Sequence, residues 1–232
     1  GGIAVPPQTA RPKTEAEGKQ KPEDSKQRPV AKSKVYLLHS DLLRKDATHP
    51  DAQIVTGNVR FRHDSVYMYC DSACYYDKVS SFEAFGNVKM VQGDTLFLYG
   101  DRLYYDGLTQ IAEMRCNVRM ENRTTTLLTD SLNYDRVYNL GYFFDGGTLM
   151  DEQNVLTSEW GEYSPQTKQS VFNYNVKLVN PQFTLTSDTL RYNTASKIAD
   201  IVGPSDIWSD ANHIYSEKGT YNTVTGKADM YD

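Results

Sequence analysis

The residues able to do chemistry are few, and their spacing is poor for it. His39, His49, His63 and His213 are scattered without the close pairing that metal ligands need. No Gly-x-Ser-x-Gly turn, Walker loop or Gly-x-Gly-x-x-Gly fingerprint occurs. Cys70 and Cys74 lie four apart on one expected strand, about 13 Å when extended, beyond disulfide reach. Cys74 and Cys116 both fall on apolar columns, where a free thiol behaves as a small hydrophobe; the sequence leaves their pairing open. One set of polar groups is arrayed: Ser72, Asp101, Asp130, Glu159, Asp188 and Glu217 recur at a constant spacing. Stacked carboxylates could bind a metal or serve as general acids. Turn chemistry explains them better, because Asp, Ser and Thr bond nearby backbone at bends, and calcium-type Gly-rich nonapeptides are missing. The expectation is a protein that is not an enzyme and holds no metal or cofactor.

The elements that would carry these groups follow from composition and period. The chain has 232 residues, 39% hydrophobic and 24% charged, with three Cys and a net charge of −5. That suffices for one large domain, excludes a disulfide framework, and makes nucleic acid a poor partner. No run of about 18 apolar residues occurs, so no transmembrane helix is expected.

Residues 1–34 contain no aromatic residue, five of the nine prolines, and eight Lys/Arg against four Asp/Glu. They cannot offset the entropy of ordering and read as a disordered or extended linker, with no signal peptide. Residues 35–232 read as a single domain carrying a net charge of −9. The chain stops at Ala228–Asp232, which matches the start of a first strand, so the domain is expected to continue or to end on an open edge.

That domain is one unit repeated. Tyr76, Tyr105, Tyr134, Tyr163, Tyr192 and Tyr221 are each 29 residues apart. Seven residues earlier stand Tyr69, Leu98, Leu127, Leu156, Leu185 and Ile214; two earlier stand Cys74, Leu103, Leu132, Gly161, Leu190 and Gly219. Each unit reads as two strands. First strands alternate apolar and polar residues, as in Phe82, Ala84, Gly86, Val88 and Met90, or Ala112, Met114, Cys116, Val118 and Met120. In second strands the parity slips at the acidic column, as at Ser187-Asp188, which predicts a bulge there. After each Tyr comes Asp77, Asp106, Asp135, Ser164, Asn193 or Asn222, the start of a tight turn. Short turns force antiparallel neighbours, and stacked bent strands leave unpaired edges.

The Leu-x-Ser/Gly-Asp-x-Leu-x-Tyr units, alternating with Gly57-Asn58-Val59 and Gly86-Asn87-Val88, resemble OstA-like, LptA-type lipopolysaccharide-transport domains over roughly residues 36–232. The resemblance implies an all-β, repeat-built, V-shaped antiparallel β-jellyroll with about two strands per 29-residue repeat. It also implies a periplasmic or outer-membrane-associated location. The implied partners are lipopolysaccharide, whose lipid A acyl chains would lie in an apolar groove, and related domains stacked edge to edge.

On this sequence the implied groove positions are the columns Tyr69, Leu98, Leu127, Leu156, Leu185, Ile214 and Tyr76, Tyr105, Tyr134, Tyr163, Tyr192, Tyr221. Leu103, Leu132 and Leu190 join them. First strands add Val59, Val88, Val118, Val176, Ile207, then Phe61, Met90, Met120, Met150, Leu178. Thr148, Ser209, Gly161 and Gly219 depart from their columns. Basic residues on outward or turn positions (Arg60, Arg62, Arg115, Arg119, Arg123, Lys177) could meet phosphates at the rim. Two rivals remain: a structural β-repeat protein of adhesin or fibre type with a dry core, and a carbohydrate binder presenting Tyr outward.

Overall fold

The computed structural model describes residues 28–231. Among them the regular structure is nineteen β-strands and one 3-10 turn, Asp77–Val79. No helix is long and apolar enough to cross a membrane among the described residues. The contacts separate into two compact units. The first takes residues up to Met120 with Asp130–Tyr138; the second takes Glu121–Thr129 and Asn139 onward.

The first unit contains β1 (Tyr36–His39), β2 (Leu42–Asp46), β3 (His49–His63), β4 (Val66–Tyr76), β5 (Ser81–Gln92) and β6 (Leu96–Asp106). It also takes β7 (Ile111–Asn122) up to Met120, and the end of β8 (Thr125–Asp135). The pairs β2–β3, β3–β4, β4–β5 and β5–β6 are antiparallel neighbours in sequence, as their short connections require, and β1 also pairs with β3.

The second unit opens with the start of β8. It continues through β9 (Leu140–Phe143), β10 (Gly147–Asp151), β11 (Asn154–Ser158), β12 (Trp160–Tyr163), β13 (Gln169–Asn180) and β14 (Phe183–Asn193). β15 (Ile198–Ile201), β16 (Ser205–Ser209), β17 (Asn212–Ser216), β18 (Gly219–Asn222) and β19 (Ala228–Met230) complete it. Here several strands break into halves at the bend. β10 pairs with β8 and β11, while β9 pairs with β12.

The bend has a specific backbone cause. In β3 and β5 the pairs Gly57-Asn58 and Gly86-Asn87 both take left-handed φ, as do Cys116-Asn117 in β7 and Tyr174-Asn175 in β13. The ladder skips there: Thr56 to Val59 on β3 spans three residues where β4 spans two, and Asn173 to Val176 on β13 does the same against β14. The extra residue therefore lies in the first strand, opposite the acidic column, rather than in the second strand. The second strand still loses its alternation, with inward Ser187 and Leu190 separated by outward Asp188 and half-buried Thr189. Asn tolerates the left-handed region, and its amide completes the turn. Nδ2 of Asn58, Asn87, Asn117 and Asn175 donates to a carboxylate of Asp41 (3.0 Å), Asp71 (2.8 Å), Asp101 (2.7 Å) and Glu159 (2.9 Å). Cys116, expected inward, is exposed because it occupies the first left-handed position, and the three cysteines are free.

At the far end of β6, β8 and β14 the residue after the Tyr column caps its turn. Asp106 Oδ1 accepts from the Leu108 and Thr109 amides, Asp135 Oδ1 from Val137 and Tyr138, and Asn193 Oδ1 from Ala195 and Ser196.

Of the expected linker, residues 1–27 lie outside the described residues. Residues near its end are tied to the first unit. Arg28 forks onto Asp135 at 2.7 and 2.8 Å, and the Ala31 amide donates to the Leu108 carbonyl.

Candidate functional site

The apolar columns converge inside each unit. Phe61, Met90 and Leu98 are fully buried in the first, and Leu156, Leu178 and Leu185 in the second. Their rungs run straight across the ladder: Met90 opposes Met68 and Leu98, Leu156 opposes Leu149 and Leu178, and Leu185 opposes Leu178 and Ile207. Val59, Val88, Val118, Met120, Leu127, Val176 and Ile207 are also buried, as are Leu103, Leu132 and Leu190. Tyr105, Tyr134, Tyr163 and Tyr192 are at most 1% exposed, and Tyr221 is buried.

Three groups of expected positions lie off the inward ladder. Tyr69 is 37% exposed and Tyr76 half-buried; Met68, Ala73 and Tyr75 take the inward places instead. The reason is one extra residue in the connection Gly93–Thr95 between β5 and β6. The β3–β4 and β13–β14 connections have two residues, so the true spacing from Met68 to Leu98 is 30, not 29. Met150 is half-buried because Leu149 faces inward, opposite Leu127 and Leu156. Ile214 keeps its register opposite Ile207 yet is 39% exposed, because β17 pairs only with β16 among the described strands.

The glycine at position 161 is filled rather than open. The Phe143 ring lies against it, and the same ring packs on Gly147 of β10.

Where the Tyr column ends, its hydroxyls meet the hairpins of the opposite strand ends, giving each unit a polar seam. In the first unit His63 Nδ1 and the Tyr105 hydroxyl share a 2.6 Å hydrogen bond, and Arg136 donates to both, at 3.1 and 2.8 Å. An imidazole accepting at Nδ1 carries its proton on Nε2, which faces the Ser33 carbonyl at 3.2 Å. Burial, then Arg136, lower the His63 pKa, so the ring is neutral. Burial pushes the Tyr105 hydroxyl up to about 12.

In the second unit the Tyr192 hydroxyl donates to Asp151 Oδ2 at 2.6 Å, and Lys197 Nζ donates to the same oxygen at 2.7 Å. One rung earlier the Tyr163 hydroxyl and Lys168 Nζ both donate to Asn122 Oδ1, at 3.0 and 2.6 Å. Among the described residues no group of three or more His, Cys, Asp and Glu has metal-binding geometry. Sequence reasoning missed the seam because its partners lie about 40 residues apart and belong to different columns.

A family model described as OstA-like protein matches residues 32–188. The chain belongs to the OstA-like family. A search of curated proteins gives no match. Among solved structures, this OstA-like chain is similar to the crystal structure of LptH, the LptA homologous periplasmic component of the conserved lipopolysaccharide transport device from Pseudomonas aeruginosa. The identity is 8% and the TM-score 0.19, with 69% of this chain and 76% of that chain covered. The family assignment rests on the matched residues 32–188, and the all-β antiparallel fold rests on the strands themselves.

Proposed function

We propose that this OstA-like chain is a non-enzymatic lipopolysaccharide carrier of the Gram-negative periplasm. It would hold lipid A acyl chains against its inward ladders and pass them along a stack of related domains. The observation that carries this reading is the continuity of the ladders: rung after rung of Leu, Met, Val and Phe without an interposed charge. Each acyl methylene taken from water contributes about 0.8 kcal/mol, and a sliding cargo needs contacts without fixed hydrogen bonds. Met68, Met90 and Met120 add side chains that adapt to chains of different length. Open edges suit stacking. Leu42 and Leu43 on β2 are 62% and 51% exposed, and among the described strands β2 pairs only with β3.

The ladder side chains are closed to solvent, so entry of a chain requires the facing ladders to part along the polar seam. That closure also favours the rival reading, a structural β-repeat with a permanently dry core. Native mass spectrometry of the protein extracted from a Gram-negative envelope separates the two. Co-purified lipopolysaccharide supports the carrier, and a consistently empty protein supports the dry repeat.

A further inference from the structure

The outward face of the first unit carries a row of side chains that the second unit lacks. Arg60 on β3 opposes Tyr69 on β4, Tyr69 opposes Lys89 on β5, and Lys89 opposes Tyr99 on β6. Arg119 of β7 lies over the Tyr99 ring at 4.5 Å. Cation and aromatic ring therefore alternate from β3 to β7. Lys89 Nζ stands 6.0, 5.7 and 5.9 Å from the Tyr69, Phe97 and Tyr99 rings. Neither Lys89 nor Arg60 has a carboxylate partner among the described residues. Tyr67 and Tyr69 are 38% and 37% exposed. The aligned row of the second unit reads Thr148, Thr157, Lys177, Thr186 and Asp206. Threonine suits an exposed strand as tyrosine does, so the fold itself does not require the rings. Beside Tyr69 a depression opens at the β3 bend, lined also by Arg60, Asn58, Asn87 and Asp71. The Asn87 amide nitrogen is spent on Asp71, which leaves amide and carboxylate oxygens there as acceptors for hydroxyls.

We propose that this outward face binds a glycan strand carrying one carboxylate on every second sugar, and that its source is the cell-wall glycan stripped of its peptides. Neighbouring strands lie about 4.8 Å apart, so Tyr69 and Tyr99 stand about 9.6 Å apart along the row, as do Arg60 and Lys89. That interval suits two pyranose rings in line. Each disaccharide then meets one aromatic ring for a C–H face and one cation for its carboxylate. Asp71 and Asp101 are exposed one outward step further along the same strands. They would repel a densely charged polyanion, whereas the hydroxyls of a sparsely charged glycan can donate to them. The site is separate from the inward ladders, and only the source of the glycan rests on the periplasmic location proposed above.

Fluorescence anisotropy of end-labelled glycans titrated with the full chain tests it, with peptide-free murein strands, neutral chitohexaose and heparin as probes. The expected result is that murein strands bind roughly tenfold more tightly than chitohexaose at low salt, and more tightly than heparin. Arg60→Gln/Lys89→Gln should bring murein down to the chitohexaose level. Tyr69→Thr/Tyr99→Thr should abolish binding of both; it copies Thr157 and Thr186, which the fold already carries at the matching outward place. No binding of murein strands, or binding that survives both variants, overturns the site. Equal binding of murein and chitohexaose overturns the role of the cations. Heparin binding more tightly than murein would make this a general polyanion face and overturn the glycan assignment. Each of these failures leaves the carrier reading intact, and an empty protein in the mass-spectrometric test leaves this site intact.

Discussion

Gly161→Leu is expected to destabilise the second unit, although it restores the leucine that Leu103, Leu132 and Leu190 supply at the equivalent positions. A Cβ at residue 161 would lie 2.5 Å from Phe143 Cζ and 3.1 Å from Phe172 Cδ1. The Phe143 ring cannot retreat, because a Cβ built on Gly147, against its other side, would lie only 2.7 Å from it. Replacing a strand glycine would otherwise gain about 0.5–1 kcal/mol of backbone entropy. Overpacking a buried site costs about 1–3 kcal/mol, and a four-carbon side chain belongs at the upper end. The net expectation is a loss of about 1–2 kcal/mol. With a urea m-value of about 2 kcal/mol/M, the midpoint should move down by roughly 0.5–1 M. The assay is urea unfolding followed by fluorescence of Trp160, adjacent in β12. Phe143→Ala makes room for the new leucine, so the double variant should be more stable than the two single losses predict by about 0.5–3 kcal/mol. A raised midpoint for Gly161→Leu, or strict additivity in the cycle, would refute the argument that Phe143 fills this gap.

Two further outcomes are expected. Asn87→Ala places a Cβ-bearing residue without a local hydrogen bond at φ 47° and removes the bond to Asp71; it should cost about 1–2 kcal/mol in thermal unfolding, with Asn87→Gly recovering the backbone part. His63 has a folded pKa below its ordinary 6.5, so the unfolded chain takes up the proton first. Stability from this site is complete above pH 6.5 and is lost as the pH falls through the lower folded pKa. His63→Gln should flatten that slope between about pH 7 and 5 in denaturation curves, and an unchanged slope would remove His63 as its source.

What was legible in the sequence was what is local. Asp106, Asp135 and Asn193 follow the Tyr column and cap their own turns within three residues, so their role shows in the spacing alone. The alternation of Val88 and Met90 against Lys89 likewise marks a face. The Tyr69–Tyr76 column slipped by one because tyrosines happen to stand at both 75 and 76, which hides the extra residue in the Gly93–Thr95 connection. Asn87 and Asp71 are both prominent in the pattern, yet their pairing across 16 residues needs the register of two bulged strands. The seam was invisible for a stronger reason. Lys197 meets Asp151, 46 residues away, only when the strand ends fold over one another. Phe143 against Gly161 is the same kind of fact: the glycine is visible, its occupant is not.

The central claim, that the inward ladders carry acyl chains, is tested most directly by placing a photoreactive benzoyl-phenylalanine at single positions of the protein in cells and probing for lipopolysaccharide adducts. Leu98 and Leu156 face inward, and their neighbours Tyr99 and Thr157 face outward on the same strands. Adducts from positions 98 and 156 and none from 99 and 157 is the predicted result. Adducts from the outward pair, or from neither pair, would contradict the claim.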